Sequence, residues 1–135
     1  MAVIDLCRLM APLLFESDAP SVINVASIYG LVASRDPMAA YNASKGALIN
    51  LTRHLAAQWE PRGVRVNALA PGYFPTELTD GLSDPGFVER IEARSLLGRI
   101  PSIGELDGPL LFLASDASSY VTGHTLVVDG GWTSA

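Results

Sequence analysis

The spacing of apolar residues along the chain predicts three helices. Residues 2–16 present one broad apolar face at helical spacing, formed by Ile4, Leu6, Cys7, Met10, Leu13 and Leu14. A long second helix is predicted from about 37 to 60, because Asp36 suits an N-cap and Pro37 suits the first helical position. A third apolar pattern predicts a helix over 103–115.

Short runs rich in β-branched residues predict three strands that alternate with these helices. The runs cover 21–27, 64–70 and 125–131, and the second is stopped by Pro71-Gly72. Strands that alternate with helices pair in parallel and form layered α/β sheets. The sequence therefore predicts an α/β fold with a parallel sheet.

The segment 73–100 interrupts this alternation. It contains two short helical patterns, at 75–82 and 86–96, separated by turn residues. We expect a partly helical excursion from the sheet rather than another strand.

Composition limits the class of protein. The chain has 135 residues, of which 49% are hydrophobic and 17% charged, and this length fits a single domain over 1–135. The net charge of −5 and the lack of a basic block argue against a nucleic-acid partner. No apolar run reaches the roughly 20 residues of a membrane span, and the first residues do not resemble a signal peptide. With Cys7 as its single cysteine, the chain is expected to be cytoplasmic.

Tyr41 and Lys45 are the first candidate chemical pair. Lys45 is the only lysine beside eight arginines, and residues four apart share one face of a helix. An ammonium group beside a phenol lowers the phenol's pKa and makes it a usable acid or base near neutral pH. Small neighbours, including Ser44 and Gly46, leave room for a ligand or a second helix. The alternative is an ordinary helix with a surface lysine and a half-buried tyrosine.

Further candidates follow the predicted strands. Ser27 and Pro71-Gly72 come at the carboxyl ends of the first two strands, where parallel sheets bind ligands. Both are candidates for a wall of a site, although Ser27 could equally be a hydroxyl that finishes a strand. The third strand ends in Asp129-Gly130-Gly131, which is interpreted as a turn. The sequence has no Gly-x-Ser-x-Gly motif of a hydrolase and too few cysteines and histidines for a metal site.

Four segments together resemble the short-chain dehydrogenase/reductase family. They are INVASIYG (23–30), YNASK (41–45), VRVNALAPGYFPTEL (64–78) and LASDASSYVTGHTLVVDGG (113–131), which occur in the family's order and span nearly the whole chain. The resemblance implies a partial Rossmann-like, doubly wound parallel sheet made of the family's last three strands with flanking helices. It also implies that 73–100 is the substrate-binding lid.

The resemblance implies a role for each candidate residue. Tyr41 would exchange a proton with the substrate, Lys45 would assist Tyr41 and bond the nicotinamide ribose, and Ser27 would hold the substrate oxygen. The cofactor would be NAD or NADP, and the substrate a small alcohol or ketone. The remaining cofactor contacts would come from Pro71, Gly72, Phe74 and Thr76. Thr76 could also serve as a helix N-cap.

One expected motif is missing from this sequence. The family's glycine-rich turn, Gly-x-x-x-Gly-x-Gly, is not formed by any of the twelve glycines. The chain thus resembles the C-terminal portion of the family, without the half that cradles the cofactor's phosphates. This leaves a second hypothesis, a truncated and catalytically inert fragment that acts only as an oligomerising or interaction domain. On either hypothesis the resemblance implies a homo-oligomer through the helices 2–16 and 37–60.

Overall fold

The computed structural model describes residues 2–76 and 84–135. Its helices and strands follow in the order α1 (Ala2–Phe15), β1 (Ser21–Val25), α2 (Ala39–Trp59), β2 (Arg65–Pro71), α3 (Pro85–Arg94), α4 (Asp107–Ala114) and β3 (Thr125–Val128), and they alternate except at α3 and α4. The predicted alternation of helices and strands is confirmed.

The three strands form one parallel sheet with β2 in the centre. In the described residues the strand order is β1-β2-β3, with Ser21 opposite Arg65 and Ala68 opposite Thr125. Because β2 lies between β1 and β3, its inner positions are fully buried, as expected for a central parallel strand. The prediction of an α/β fold with parallel pairing is therefore correct.

Helices cover both faces of the sheet. On one face α1 and α2 pack against Val22 and Val66, in a core that also contains Cys7 and Trp59. Arg65 points to the opposite face, because successive side chains of a strand alternate. Its guanidinium donates to the Leu113 carbonyl at 3.0 Å, which places the end of α4 on that face. The sheet is thus doubly wound, as the resemblance implied.

The long helix starts later than the sequence predicted. α2 begins at Ala39, with Met38 in the N-cap position and no side-chain capping bond. Asp36 is not the cap: its carboxylate accepts a bond from the Ser34 hydroxyl at 3.1 Å, and its own N–H donates to that hydroxyl at 3.0 Å. α2 thus begins after this local turn, and the prediction of Asp36 as N-cap is wrong.

The segment after β2 contains one described helix. α3 is capped by Asp84, whose carboxylate accepts from the Gly86 N–H at 3.2 Å, and this helix corresponds to the predicted pattern 86–96. Most of the other pattern, 75–82, lies outside the described residues. The predicted helix 103–115 divides into a short 3-10 turn, Ile103–Leu106, followed by α4.

Candidate active site

The carboxyl ends of all three strands lie at one edge of the sheet, because the strands are parallel. Ser27 follows the end of β1 by two residues, Pro71-Gly72 ends β2, and Asp129 follows β3 directly. The candidate residues predicted from strand ends therefore share one edge.

The first turns of α2 bring Tyr41 and Lys45 together. The Lys45 Nζ lies 5.6 Å from the centroid of the Tyr41 ring, over its face. The same Nζ donates a hydrogen bond to the Val25 carbonyl at 3.0 Å, at the carboxyl end of β1. The Tyr41 side chain stays open to solvent, with 41% of its surface exposed. The cation and the phenol thus meet beside the sheet edge, as the helical spacing predicted.

Ser27 is buried and its hydroxyl is oriented by the backbone. Its Oγ accepts a bond from the Tyr29 N–H at 3.2 Å, which caps the short 3-10 turn Ile28–Gly30. Because the hydroxyl acts as acceptor in this bond, its own proton is left to donate to another group. The capping bond therefore fixes the hydroxyl and is compatible with a role toward substrate.

A close contact between backbones joins the Ser27 turn to α2. A Cβ added to Gly30 would lie 2.8 Å from the backbone carbon and oxygen of Lys45, and 2.7 Å from the Ile49 side chain. Gly46 faces the Gly30 carbonyl, 3.6 Å from an added Cβ. The turn that follows Ser27 therefore lies at ordinary van der Waals distance from Gly46.

Pro71-Gly72 packs closely against the end of β3. The Gly72 N–H donates to the Val128 carbonyl at 2.9 Å, and a Cβ at Gly72 would lie 2.8 Å from the Asp129 Cβ. Of the two other predicted cofactor contacts, the Phe74 side chain is buried and Thr76 is exposed.

Asp129 is a structural residue, as the sequence suggested. Its carboxylate accepts bonds from the Gly131 N–H at 2.9 Å and from the Thr133 N–H and hydroxyl at 2.9 and 2.7 Å. These bonds satisfy the carboxylate within the turn that follows β3.

An aromatic cluster at the same edge was missed by the sequence reasoning. Tyr29, Tyr73 and Trp132 each follow a different strand, and their rings meet edge to face with centroids 5.7 to 6.1 Å apart. The hydroxyls of Tyr29 and Tyr73 form a hydrogen bond with each other. Burial raises the pKa of Tyr73, and the bond to Tyr29 adds to the increase. The sequence did contain a signal for this cluster, because Tyr29 lies two residues after Ser27 and Tyr73 directly follows Gly72.

A cation lies against this aromatic cluster. The guanidinium carbon of Arg94, on the last turn of α3, lies 3.7 Å from the centroid of the Trp132 ring. Arg94 takes part in no ion pair within 2–76 and 84–135. Its charge acts on the neighbouring phenol and opposes the increase in the pKa of Tyr73.

Metal-ligand clusters and membrane-spanning helices are both absent from the described part of the chain. It contains no group of three His, Cys, Asp or Glu side chains arranged to hold a metal ion. None of its helices combines the length and the apolar composition required to cross a membrane.

Comparison with known proteins covers nearly all of the chain. A family model described as enoyl-(acyl carrier protein) reductase matches residues 1–133. A galactitol 2-dehydrogenase (L-tagatose-forming) of Cereibacter sphaeroides is 48% identical over 117 residues, which are 85% of this chain and 46% of the relative. An uncharacterised short-chain type dehydrogenase/reductase of Sinorhizobium fredii is 46% identical over 116 residues, 84% of this chain and 21% of the relative.

A solved structure shares the fold closely. The gluconate 5-dehydrogenase of Burkholderia cenocepacia, crystallised with NADP and tartrate, is 40% identical and superposes with a TM-score of 0.93. The match covers 98% of this chain and 52% of that protein. The chain therefore spans about half the length of these relatives, or less.

Proposed function

The chain belongs to the short-chain dehydrogenase/reductase family, and we propose that it acts as an NAD(P)-dependent oxidoreductase that interconverts a secondary alcohol and a ketone. The proposal is carried by one observation, the Lys45 ammonium over the Tyr41 ring at the carboxyl edge of the sheet. The turn that holds Ser27 packs on the backbone of the same helix at Lys45.

Tyr41 and Ser27 act on the substrate oxygen in this proposal. In the reducing direction a hydride is added to the carbonyl carbon, and the Tyr41 hydroxyl gives its proton to the oxygen. Ser27 donates a hydrogen bond to that oxygen as negative charge develops on it. The Lys45 ammonium stabilises the phenolate that Tyr41 becomes, and a proton from solvent then restores the phenol. In the oxidising direction each transfer is reversed.

The residues present fit the nicotinamide end of the cofactor, which supplies or accepts the hydride when bound. An ammonium group has three N–H donors, and one of those on Lys45 is used by the Val25 carbonyl. The described residues take no other bond from Nζ, so two donors are left for ribose hydroxyls. Pro71-Gly72 would line the nicotinamide pocket, with contacts from the Phe74 backbone and the Thr76 hydroxyl.

Replacement of Lys45 by methionine tests the proposed cofactor contact. The fluorescence of reduced cofactor should titrate to saturation with the unsubstituted chain, and Lys45→Met should weaken its binding by roughly ten- to a hundredfold, the usual range for a lost charged hydrogen bond. The matched control is Arg53→Met, which removes one exposed cation from the same helix and should leave the affinity unchanged.

Both parts of this titration can fail. If the unsubstituted chain gives no saturable signal at millimolar cofactor, the chain does not bind nicotinamide cofactors by itself. If Lys45→Met and Arg53→Met bind as tightly as the unsubstituted chain, Lys45 does not contact the ribose. A panel of ketones, followed by the absorbance of the reduced cofactor, then tests turnover directly.

A second candidate function is favoured by the surface of α1. Leu6, Leu9 and Leu13 are 58%, 71% and 66% exposed, although they belong to an apolar helix. Exposed apolar patches of this kind mark association sites. On this alternative, which the sequence also left open, the chain is an inert domain that associates with a second copy through α1 and α2.

Leu9→Glu tests association through α1. Light scattering of the unsubstituted chain should give at least the mass of a dimer, and Leu9→Glu should shift it toward the monomer, because the carboxylate would lose water in the contact. Leu111→Glu is the control, because Leu111 on α4 is also 66% exposed. A monomeric unsubstituted chain, or an equal effect of both substitutions, would exclude a contact centred on α1.

A further inference from the structure

Two tyrosines at the candidate site, Tyr29 and Tyr73, take no part in the proposed chemistry. Tyr29 lies two residues after Ser27, and its N–H bonds the Ser27 Oγ at 3.2 Å. Tyr73 follows Gly72, at the end of β2. Their hydroxyls are hydrogen-bonded to each other. The phenol pair therefore joins the segment of the proposed substrate-binding serine to the proposed nicotinamide wall.

Aromatic contacts hold the pair rigidly, and Tyr73 stays protonated. Tyr29 is 8% exposed and Tyr73 is half-buried, and both rings contact Trp132 edge to face. Since burial and the mutual bond raise the pKa of Tyr73 above its ordinary value, this phenol is neutral at physiological pH. Rigid neutral phenols are hydrogen-bond donors with a fixed direction.

Among the described residues, one hydroxyl proton of the pair has no acceptor. Two phenols carry two hydroxyl protons, and a single bond between them uses only one. No side chain or carbonyl in the described ranges accepts the second. Buried phenol hydroxyls normally find a partner, and the Tyr29 side chain is buried. An oxygen of a ligand, or a water that the ligand displaces, would satisfy the remaining proton.

The position of this donor indicates which oxygen it meets. The Ser27 hydroxyl is proposed to bond the oxygen on the reacting carbon, and the phenol pair is connected to Ser27 through one backbone hydrogen bond. Arg94, stacked on Trp132 beside the pair, adds a positive charge that favours oxygen-rich groups. A hydroxyl donor beside a positive charge favours a second substrate oxygen near the reacting carbon over an alkyl group.

We propose that the Tyr29–Tyr73 pair is a specificity-determining element that donates its spare proton to a hydroxyl oxygen next to the reacting carbon of the substrate. This inference rests on the proposed function, and it names the substrate class as hydroxyketones and the corresponding diols. A site built to bond such an oxygen discriminates against the analogue that lacks it.

The test compares 2-hydroxycyclohexanone with cyclohexanone, which differ by one hydroxyl beside the carbonyl. Dissociation constants are measured by saturation-transfer NMR, which needs no turnover. We expect the unsubstituted chain to prefer the hydroxyketone by roughly five- to tenfold, the usual effect of one neutral hydrogen bond. In Tyr29→Phe/Tyr73→Phe the preference should disappear.

Single variants and a control refine the comparison. Tyr29→Phe and Tyr73→Phe each leave one hydroxyl without its partner, so each should reduce the preference in part, and their effects should not add to that of the double variant. Tyr120→Phe is the control, because Tyr120 is fully exposed and should keep the full preference. If the double variant does not fold, the two single variants decide the result.

The outcomes separate this inference from the proposed function. Equal affinity of the unsubstituted chain for both ketones, or a preference that stays undiminished in the Phe variants, overturns recognition by the pair. Turnover is assayed separately with reduced cofactor. If no ketone is reduced but the preference and its loss are both measured, the proposed function fails while recognition by the pair stands.

Discussion

Tyr41→Phe is expected to lower kcat for ketone reduction by about 100- to 10,000-fold, the usual contribution of a positioned acid or base. The substitution removes only the hydroxyl that gives a proton to the substrate oxygen. The ring stays beneath the Lys45 ammonium, so the local structure should persist. Steady-state kinetics, followed by the absorbance of reduced cofactor at saturating ketone, measure the effect.

Tyr120→Phe is the matched control for this prediction. Tyr120 loses the same oxygen atom, but its side chain is fully exposed. We expect its kcat to equal that of the unsubstituted chain. A Tyr41→Phe variant that turns over within about threefold of this control would show that the proton comes from another group, and the proposed chemistry would be wrong.

Gly30→Ala is expected to cause the largest loss of stability among the single substitutions considered. The added methyl group would lie 2.8 Å from the backbone of Lys45, and a helix backbone cannot yield as a flexible side chain does. Forced overpacking of this kind costs about 1–3 kcal/mol, and rigid surroundings favour the upper part of that range. Urea denaturation, followed by far-ultraviolet circular dichroism, gives the change in free energy of unfolding.

Gly46→Ala is the control on the other side of the same contact. Its Cβ would lie 3.6 Å from the Gly30 carbonyl, at ordinary van der Waals distance. Because Gly46 lies inside α2, alanine should stabilise the helix by about 0.5–1 kcal/mol. Equal effects of the two substitutions would mean that the turn and the helix are not in rigid contact at Gly30.

This contact also connects stability with the candidate site. The turn that Gly30 closes is capped by Ser27, and Lys45 lies on the helix beneath it. A variant that moves the turn away from α2 would therefore displace the Ser27 hydroxyl from the Tyr41–Lys45 pair. We infer that the glycine keeps the three proposed catalytic side chains in one arrangement.

The sequence was sufficient where local geometry determines the structure. Alternation of strands and helices requires parallel pairing, and parallel pairing brings Ser27 and Pro71-Gly72 to the same edge. The spacing of four residues on a helix brings Tyr41 and Lys45 together whatever surrounds them. These predictions depend on the periodicity of helices and strands, which can be counted along the sequence.

Local rules failed where two local structures compete. Asp36 has the right type and position for an N-cap, yet it forms a turn with Ser34, and α2 begins at Ala39. The two arrangements compete for the same carboxylate, because a side chain of this type can bond either a local turn or the start of a helix. The sequence alone does not rank them.

Only the tertiary structure decided which distant residues meet. Tyr29 and Tyr73 are 44 positions apart, and their hydroxyls bond because β1 and β2 pair in a register that ends both strands side by side. The contact of Gly30 with the backbone of Lys45 likewise depends on how a turn packs on a helix. Such contacts depend on packing across the sheet edge, and no repeat in the sequence encodes it. The sequence by itself thus determined the elements and the residue types of the candidate site, whereas packing determined their arrangement.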